Sequence, residues 1–178
     1  MTAMIIRLFS RAVLMLALGV TALAQSQLSL ADLEGEWLLD GEKSFSRSER
    51  SDISNYDLKI SFSGQTLTLY WDYTIKKKRS HYSQTLVVDG KRQNAADYGG
   101  MAGGARGYSA KIKGNRIVQS MSYGTDQPKF GSYMDSRVLS LSVDKKVLTI
   151  ENLFRSALPG DATNQGKQKL VFNRKQVS

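Results

Sequence analysis

From Trp37 onward the chain alternates apolar and polar residues with a period of two, and helical periodicity is nearly absent. The clearest run is Leu67 to Ile75. Leu67, Leu69, Trp71, Tyr73 and Ile75 occupy its odd positions, and mostly polar residues occupy the even ones. Side chains alternate faces along a strand, so this pattern predicts a half-buried β-strand. Tyr56, Leu58, Ile60 and Phe62 alternate with Asp57, Lys59, Ser61 and Ser63 in the same way. Ser63-Gly64-Gln65 between the two runs reads as a hairpin turn.

The same reading places strands at 36–40, 80–88, 106–112, 116–123, 135–143, 146–154 and 167–174, giving about nine in all. Lys113-Gly114-Asn115 and Asp144-Lys145 read as tight turns. Short strands separated by turn signals predict an all-β, antiparallel up-and-down β-barrel of about eight or nine strands. Closure removes exposed sheet edges, which favours a barrel over an open sandwich. Two segments break the rhythm and read as long loops. Residues 41–54 are polar, and residues 89–104 hold Gly90, Gly99, Gly100, Gly103 and Gly104. The second could form a lid with Tyr98, Met101 and Tyr108 as its apolar contacts.

The first 24 residues have a different character. Arg7 and Arg11 are the only charges before Asp32, and the apolar run Ala12 to Val20 follows them. Thr21-Ala22-Leu23-Ala24 then puts small residues at positions −3 and −1 of a cut after Ala24. A positive start, a short apolar middle and a small exit are the marks of a secretory signal. Residues 1–24 are therefore expected to be removed, leaving 25–178 as a single β-barrel domain. A membrane span needs about 20 apolar residues, and both arginines interrupt this stretch. Cleavage would remove two of the 25 basic residues and none of the 16 acidic ones, so the remainder would carry a net charge of +7. The chain has no cysteine, so no lipid anchor on a terminal cysteine is expected. Together these features point to a bacterial periplasmic or secreted protein with no transmembrane segment after cleavage.

Leu33-Glu34-Gly35-Glu36-Trp37-Leu38-Leu39-Asp40, followed by Glu42-Lys43-Ser44-Phe45, resembles the opening of the lipocalin-like bacterial β-barrel proteins. The resemblance, carried by Gly35-x-Trp37, implies a calycin-like barrel in which Trp37 plugs one end. It also implies that a basic side chain near the last strand packs over the indole. Arg174 is the candidate, in phase with Leu170 and Phe172. An arginine over an indole contributes about 0.5–1 kcal/mol when exposed and about 2 when desolvated.

The chemistry of the remaining residues narrows function. One histidine, His81, and no cysteine make a zinc or copper site a poor fit. No nucleophile elbow accompanies His81, and its phase points it away from the main apolar face. The glycines of 99–104 lack the Lys-Ser/Thr ending of a phosphate loop. Glu151 shares a strand face with Val147, Thr149 and Leu153, and it reads as solvated if the other face is interior. No metal, cofactor or catalytic residue is expected. The predicted interior carries Trp71, Tyr73, Tyr82, Gln84, Gln119, Met121 and Tyr123 beside plain aliphatics, a lining suited to a small apolar or amphipathic ligand. The competing outcome is that these side chains fill the barrel completely. Lys76-Lys77-Lys78-Arg79 reads as a basic hairpin tip, either solvated or touching an anionic envelope surface, with no specific nucleic acid implied. A barrel-fold enzyme around His81 or Glu151, and an outer-membrane barrel with the same alternation, are the further alternatives.

Overall fold

The computed structural model describes residues 28–46, 53–75, 77–94, 105–123, 132–156 and 166–176. The chain enters through a short 3-10 turn, Leu30–Leu33. It then forms β1 (Gly35–Leu39), β2 (Phe45–Ser46), β3 (Ile53–Ser63), β4 (Thr66–Ile75), β5 (Lys78–Val87) and β6 (Arg92–Asn94). β7 (Ala105–Lys113), β8 (Arg116–Tyr123), β9 (Ser132–Leu141), β10 (Val147–Ser156) and β11 (Lys167–Arg174) complete it. The period-two alternation thus becomes an all-β, antiparallel, up-and-down structure. The sheet runs β5-β4-β3-β1-β11-β10-β9-β8-β7-β6, with β2 paired to β11 off this path.

β1 lies between β3 and β11, which brings the first and last strands together and curls the sheet into a half-barrel. Its two ends meet near β5 and β7. The Gly90 amide donates to the Ala110 carbonyl at 2.7 Å. The buried Tyr108 hydroxyl accepts from the Val87 amide at 3.2 Å and donates to the Thr85 carbonyl at 3.4 Å. A side-chain hydroxyl therefore takes the place of a backbone ladder on this part of the β5 edge, where unpaired amides would otherwise be costly. Tyr108 is a bridge in the core rather than a lid contact, while Tyr98 and Met101 lie outside the described residues.

Both segments read as loops contain short strands. β2 pairs Phe45 with Lys169 and Ser46 with Gln168. β6 pairs Arg92, Gln93 and Asn94 with Ser109, Tyr108 and Gly107. Two or three residues are too few to display alternation, and Arg-Gln-Asn has no apolar member to mark an inner face. Backbone pairing with a longer neighbour supplies what the local pattern lacks.

One end of the half-barrel is plugged. Trp37 is fully buried, and its indole N–H donates to the Leu33 carbonyl at 3.0 Å, pulling the 3-10 turn across that end. The Arg174 guanidinium lies over the indole, 4.2 Å from the ring centroid. It donates from Nε to the Lys145 carbonyl at 2.9 Å, from Nη1 to the Glu34 carbonyl at 2.7 Å, and from Nη2 to the Asp32 carbonyl. Gly35 makes this possible. Its φ is +130°, and a Cβ there would come within 3.1 Å of Arg174 Nη1. Lys145 completes the end with an ion pair to Asp32 at 2.7 Å. That hydrogen bond is the main cause holding the Asp32 carboxyl below the usual range, with burial opposing it and the Ser29 amide and Arg174 charge adding to it.

Three outcomes are expected. Gly35→Ala should lower stability by about 1–3 kcal/mol in urea melts, the range for a residue held in a disfavoured backbone region. Arg174→Lys should not restore what Arg174→Ala loses, because one ammonium cannot cover the indole and reach three carbonyls at once. Because the folded carboxyl of Asp32 has the lower pKa, its contribution is complete above about pH 4, the ordinary aspartate range, and disappears as pH falls through the depressed value. Asp32→Asn should therefore flatten the acid limb of a plot of melting temperature against pH.

Candidate ligand site at the end opposite the plug

Away from the plug the interior is no longer purely apolar. Leu58, Ile60, Leu69 and Ile150 are fully buried. Among them lies a polar layer. Gln84 of β5, the register partner of Leu69, Gln119 of β8, Arg137 of β9 and Asn152 of β10 are all buried there. The Arg137 guanidinium donates from Nε to the Asn152 amide oxygen and from Nη1 to the Gln84 amide oxygen, both at 2.7 Å. Asn152 in turn donates to Gln168 Oε1 of β11 at 2.8 Å. These bonds orient the amides so that their oxygens face the cation, as burial of a guanidinium requires.

An aromatic group sits beside and above this layer. Leu58, Trp71 and Tyr82 are register neighbours across β3, β4 and β5. Trp71 stacks on Tyr82 with centroids 5.8 Å apart and meets Tyr56 edge-on at 5.7 Å. Tyr56 stacks on Tyr73 at 5.4 Å, and Tyr73 meets Tyr82 edge-on at 5.7 Å. Arg137 lies 5.9 Å from the Trp71 ring centroid. Met121 and Met134 pack on the same core, and the Tyr123 hydroxyl donates to the Met134 carbonyl. The Trp71 indole N–H is buried with no hydrogen-bond partner among the described residues. An unmet buried donor costs about 1–3 kcal/mol.

The seven interior residues singled out in the sequence divide into two groups. Trp71, Gln84 and Gln119 are 1%, 4% and 0% exposed and belong to the filled core. Tyr73, Tyr82, Met121 and Tyr123 are half-buried, toward the end where β4 turns into β5. Arg137, Asn152 and Tyr56 complete the constellation. Arg137 shares its phase with Leu139 and Leu141, and Asn152 with Leu148 and Ile150, so strand parity alone places both inside.

The other candidates lie on the outside. His81 is exposed and stacks on Tyr70 with centroids 6.0 Å apart. Glu151 is exposed opposite Lys169. In the basic run, Lys76 lies outside the described residues, while Lys77 and Lys78 are exposed. Arg79 is bound by both oxygens of Asp72, whose carboxyl its hydrogen bond holds below the usual range. The tip therefore presents less free charge than its sequence suggests. Among the described residues no three His, Cys, Asp or Glu side chains gather in a metal-binding group. No helix among them is long and apolar enough to cross a membrane.

No protein-family model matches the chain, and no curated protein matches it. Among solved structures, a mutant of the REP1-NXSQ fatty acid transporter is similar, with 15% sequence identity and a TM-score of 0.42. The match covers 82% of this chain and 99% of that one.

Replacing Arg137 with Met keeps its length but leaves the Gln84 and Asn152 oxygens without their charged donor. A loss of about 2–4 kcal/mol is expected. Adding Asn152→Leu should cost less than the sum of the two single changes, because one network is being removed twice.

Proposed function

We propose that the protein is an exported, lipocalin-like binding protein that takes one small amphipathic molecule at the end opposite the plug. The ligand's apolar part lies against Tyr56, Tyr73, Tyr82 and Met121. Its acceptor end reaches toward the Trp71 indole N–H and the Arg137 guanidinium. The observation that carries this reading is the buried Trp71 N–H without a partner among the described residues, next to a buried cation. An oxygen arriving there would relieve the unmet donor and interact favourably with the guanidinium. A layer of rings and thioethers above a few fixed polar groups is the usual make-up of a small-molecule site.

Trp71 is almost wholly covered, and Tyr82 stacks directly on it. Entry therefore requires the half-buried Tyr82 and Tyr73 rings to swing aside, and the free protein holds its site closed with its own side chains. Export supports this reading from the composition of residues 1–24, which lie outside the described residues. N-terminal sequencing of the protein from its host should begin at Gln25, and a chain beginning at Met1 would refute export.

The binding claim is tested by titration in a Trp37→Phe background, where Trp71 is the only indole. Dodecanoate should change its fluorescence at micromolar concentration, and dodecyltrimethylammonium should bind at least about tenfold more weakly because its head is a cation facing a cation. Unchanged fluorescence with both probes, together with no mass increase by native mass spectrometry, would refute the proposal.

A further inference from the structure

The plugged end carries a second feature unrelated to the interior. The outer face of the β7–β8 hairpin presents Lys111, Lys113 and Arg116, all exposed, with Lys113 and Arg116 directly opposite across the Gly114-Asn115 turn. Arg92 of β6 pairs with Ser109 on that same face. Lys146, also exposed, leads into β10 from the neighbouring turn. Two hydrogen bonds tie the two turns together. The Leu141 amide donates to the Asn115 carbonyl at 3.3 Å, and Asn115 Nδ2 donates to the Leu141 carbonyl at 3.1 Å. At the tip of the second turn stands Val143, 89% exposed.

The ion pairs among the described residues use Lys43, Arg79, Lys145, Arg155 and Lys175, and none of these five bases. Asp144 shares this turn, and the Ser142 hydroxyl, the Lys146 amide and the Lys146 charge hold its carboxyl below the usual range. Asp144 accepts from Ser142 Oγ at 2.6 Å and from the Lys146 amide at 3.2 Å. A row of exposed bases thus ends at an uncovered apolar side chain. Between the bases the sheet carries small residues, with Ser140 opposite Arg116 and Val118 opposite Lys111.

We infer that the plugged end docks on an anionic lipid bilayer, with Arg92, Lys111, Lys113, Arg116 and Lys146 on the headgroups and Val143 between them. Basic groups around an apolar tip suit a headgroup layer, where charge attracts and the apolar group inserts. A single-stranded nucleic acid fits less well, because such sites stack bases on aromatic rings. The exposed aromatic residues of the described chain are Phe45, Phe62 and Tyr70, on β2, β3 and β4 rather than on this face.

Co-sedimentation of the full chain with phosphatidylglycerol–phosphatidylcholine vesicles tests the inference, with phosphatidylcholine vesicles as reference. Binding should require the anionic lipid and weaken with salt. Each base near such a surface contributes roughly fivefold, so Lys113→Glu/Arg116→Glu/Lys146→Glu should weaken binding at least about 100-fold. Val143→Asp should weaken it severalfold. Lys77→Glu/Lys78→Glu/Lys167→Glu makes the same charge change at the other end, where all three are exposed, and should have little effect. The corresponding glutamine triple at 113, 116 and 146 carries the test if the reversal does not fold. Equal loss in both charge-reversed triples, equal binding to both vesicles, or tighter binding to duplex DNA than to vesicles would each overturn it.

Discussion

The structure depends on one guanidinium. Arg174 lies over the Trp37 indole and donates to three backbone carbonyls, those of Asp32, Glu34 and Lys145. Those carbonyls belong to the entry of the chain and to the β9–β10 turn, while Arg174 ends the last strand. A single planar cation therefore joins three segments far apart in sequence, and only a fork of fixed donors can do so. The backbone repeats the constraint, since Trp37 and Arg174 are register partners between β1 and β11. Gly35 is the local condition, because a side chain there would intrude on the guanidinium.

Once that end is closed, the rest of the interior combines apolar packing with a buried polar network. Leu58, Ile60, Leu69 and Ile150 are fully buried in the same core as Trp37. A network of Gln84, Arg137, Asn152 and Gln168 lies among them, spanning β5, β9, β10 and β11. The Arg137–Gln84 bond crosses the interior from β9 to β5, while the other two join register partners across β9, β10 and β11. Tyr108 joins β7 to β5 at the seam, where its hydroxyl serves both Thr85 and Val87. The rings of Tyr56, Tyr73 and Tyr82 then give the opposite end a softer and less fully buried lining. One molecule thus combines a fully buried plug at one end with a half-buried aromatic lining at the other.

Much of this was legible in the sequence, for identifiable reasons. The alternation from Leu67 to Ile75 produced β4 because one face is buried and a register slip would expose all of it. Strand phase also carried Arg174 to the side of Leu170 and Phe172. Strand order was not legible, because alternation states which face is buried and says nothing about neighbours. The position of β1 between β3 and β11 depends on chain ends meeting. β2 and β6 escaped notice because they borrow their pairing from longer strands. Arg137 and Asn152 were hidden for another reason: a charge or an amide in a strand is ordinarily taken to face water, and only their parity with leucines and isoleucines shows otherwise.

The two tryptophans differ in the hydrogen bonding of their indole N–H groups. Trp37 donates to the Leu33 carbonyl, while Trp71 has no acceptor among the described residues. A nitrogen–proton NMR spectrum resolves both indole signals of the intact protein. On addition of a medium-chain carboxylate, the Trp71 signal should move downfield as it gains a hydrogen bond, and the Trp37 signal should stay in place. A Trp71 signal that does not move at saturating ligand, or a shift confined to Trp37, would contradict the account.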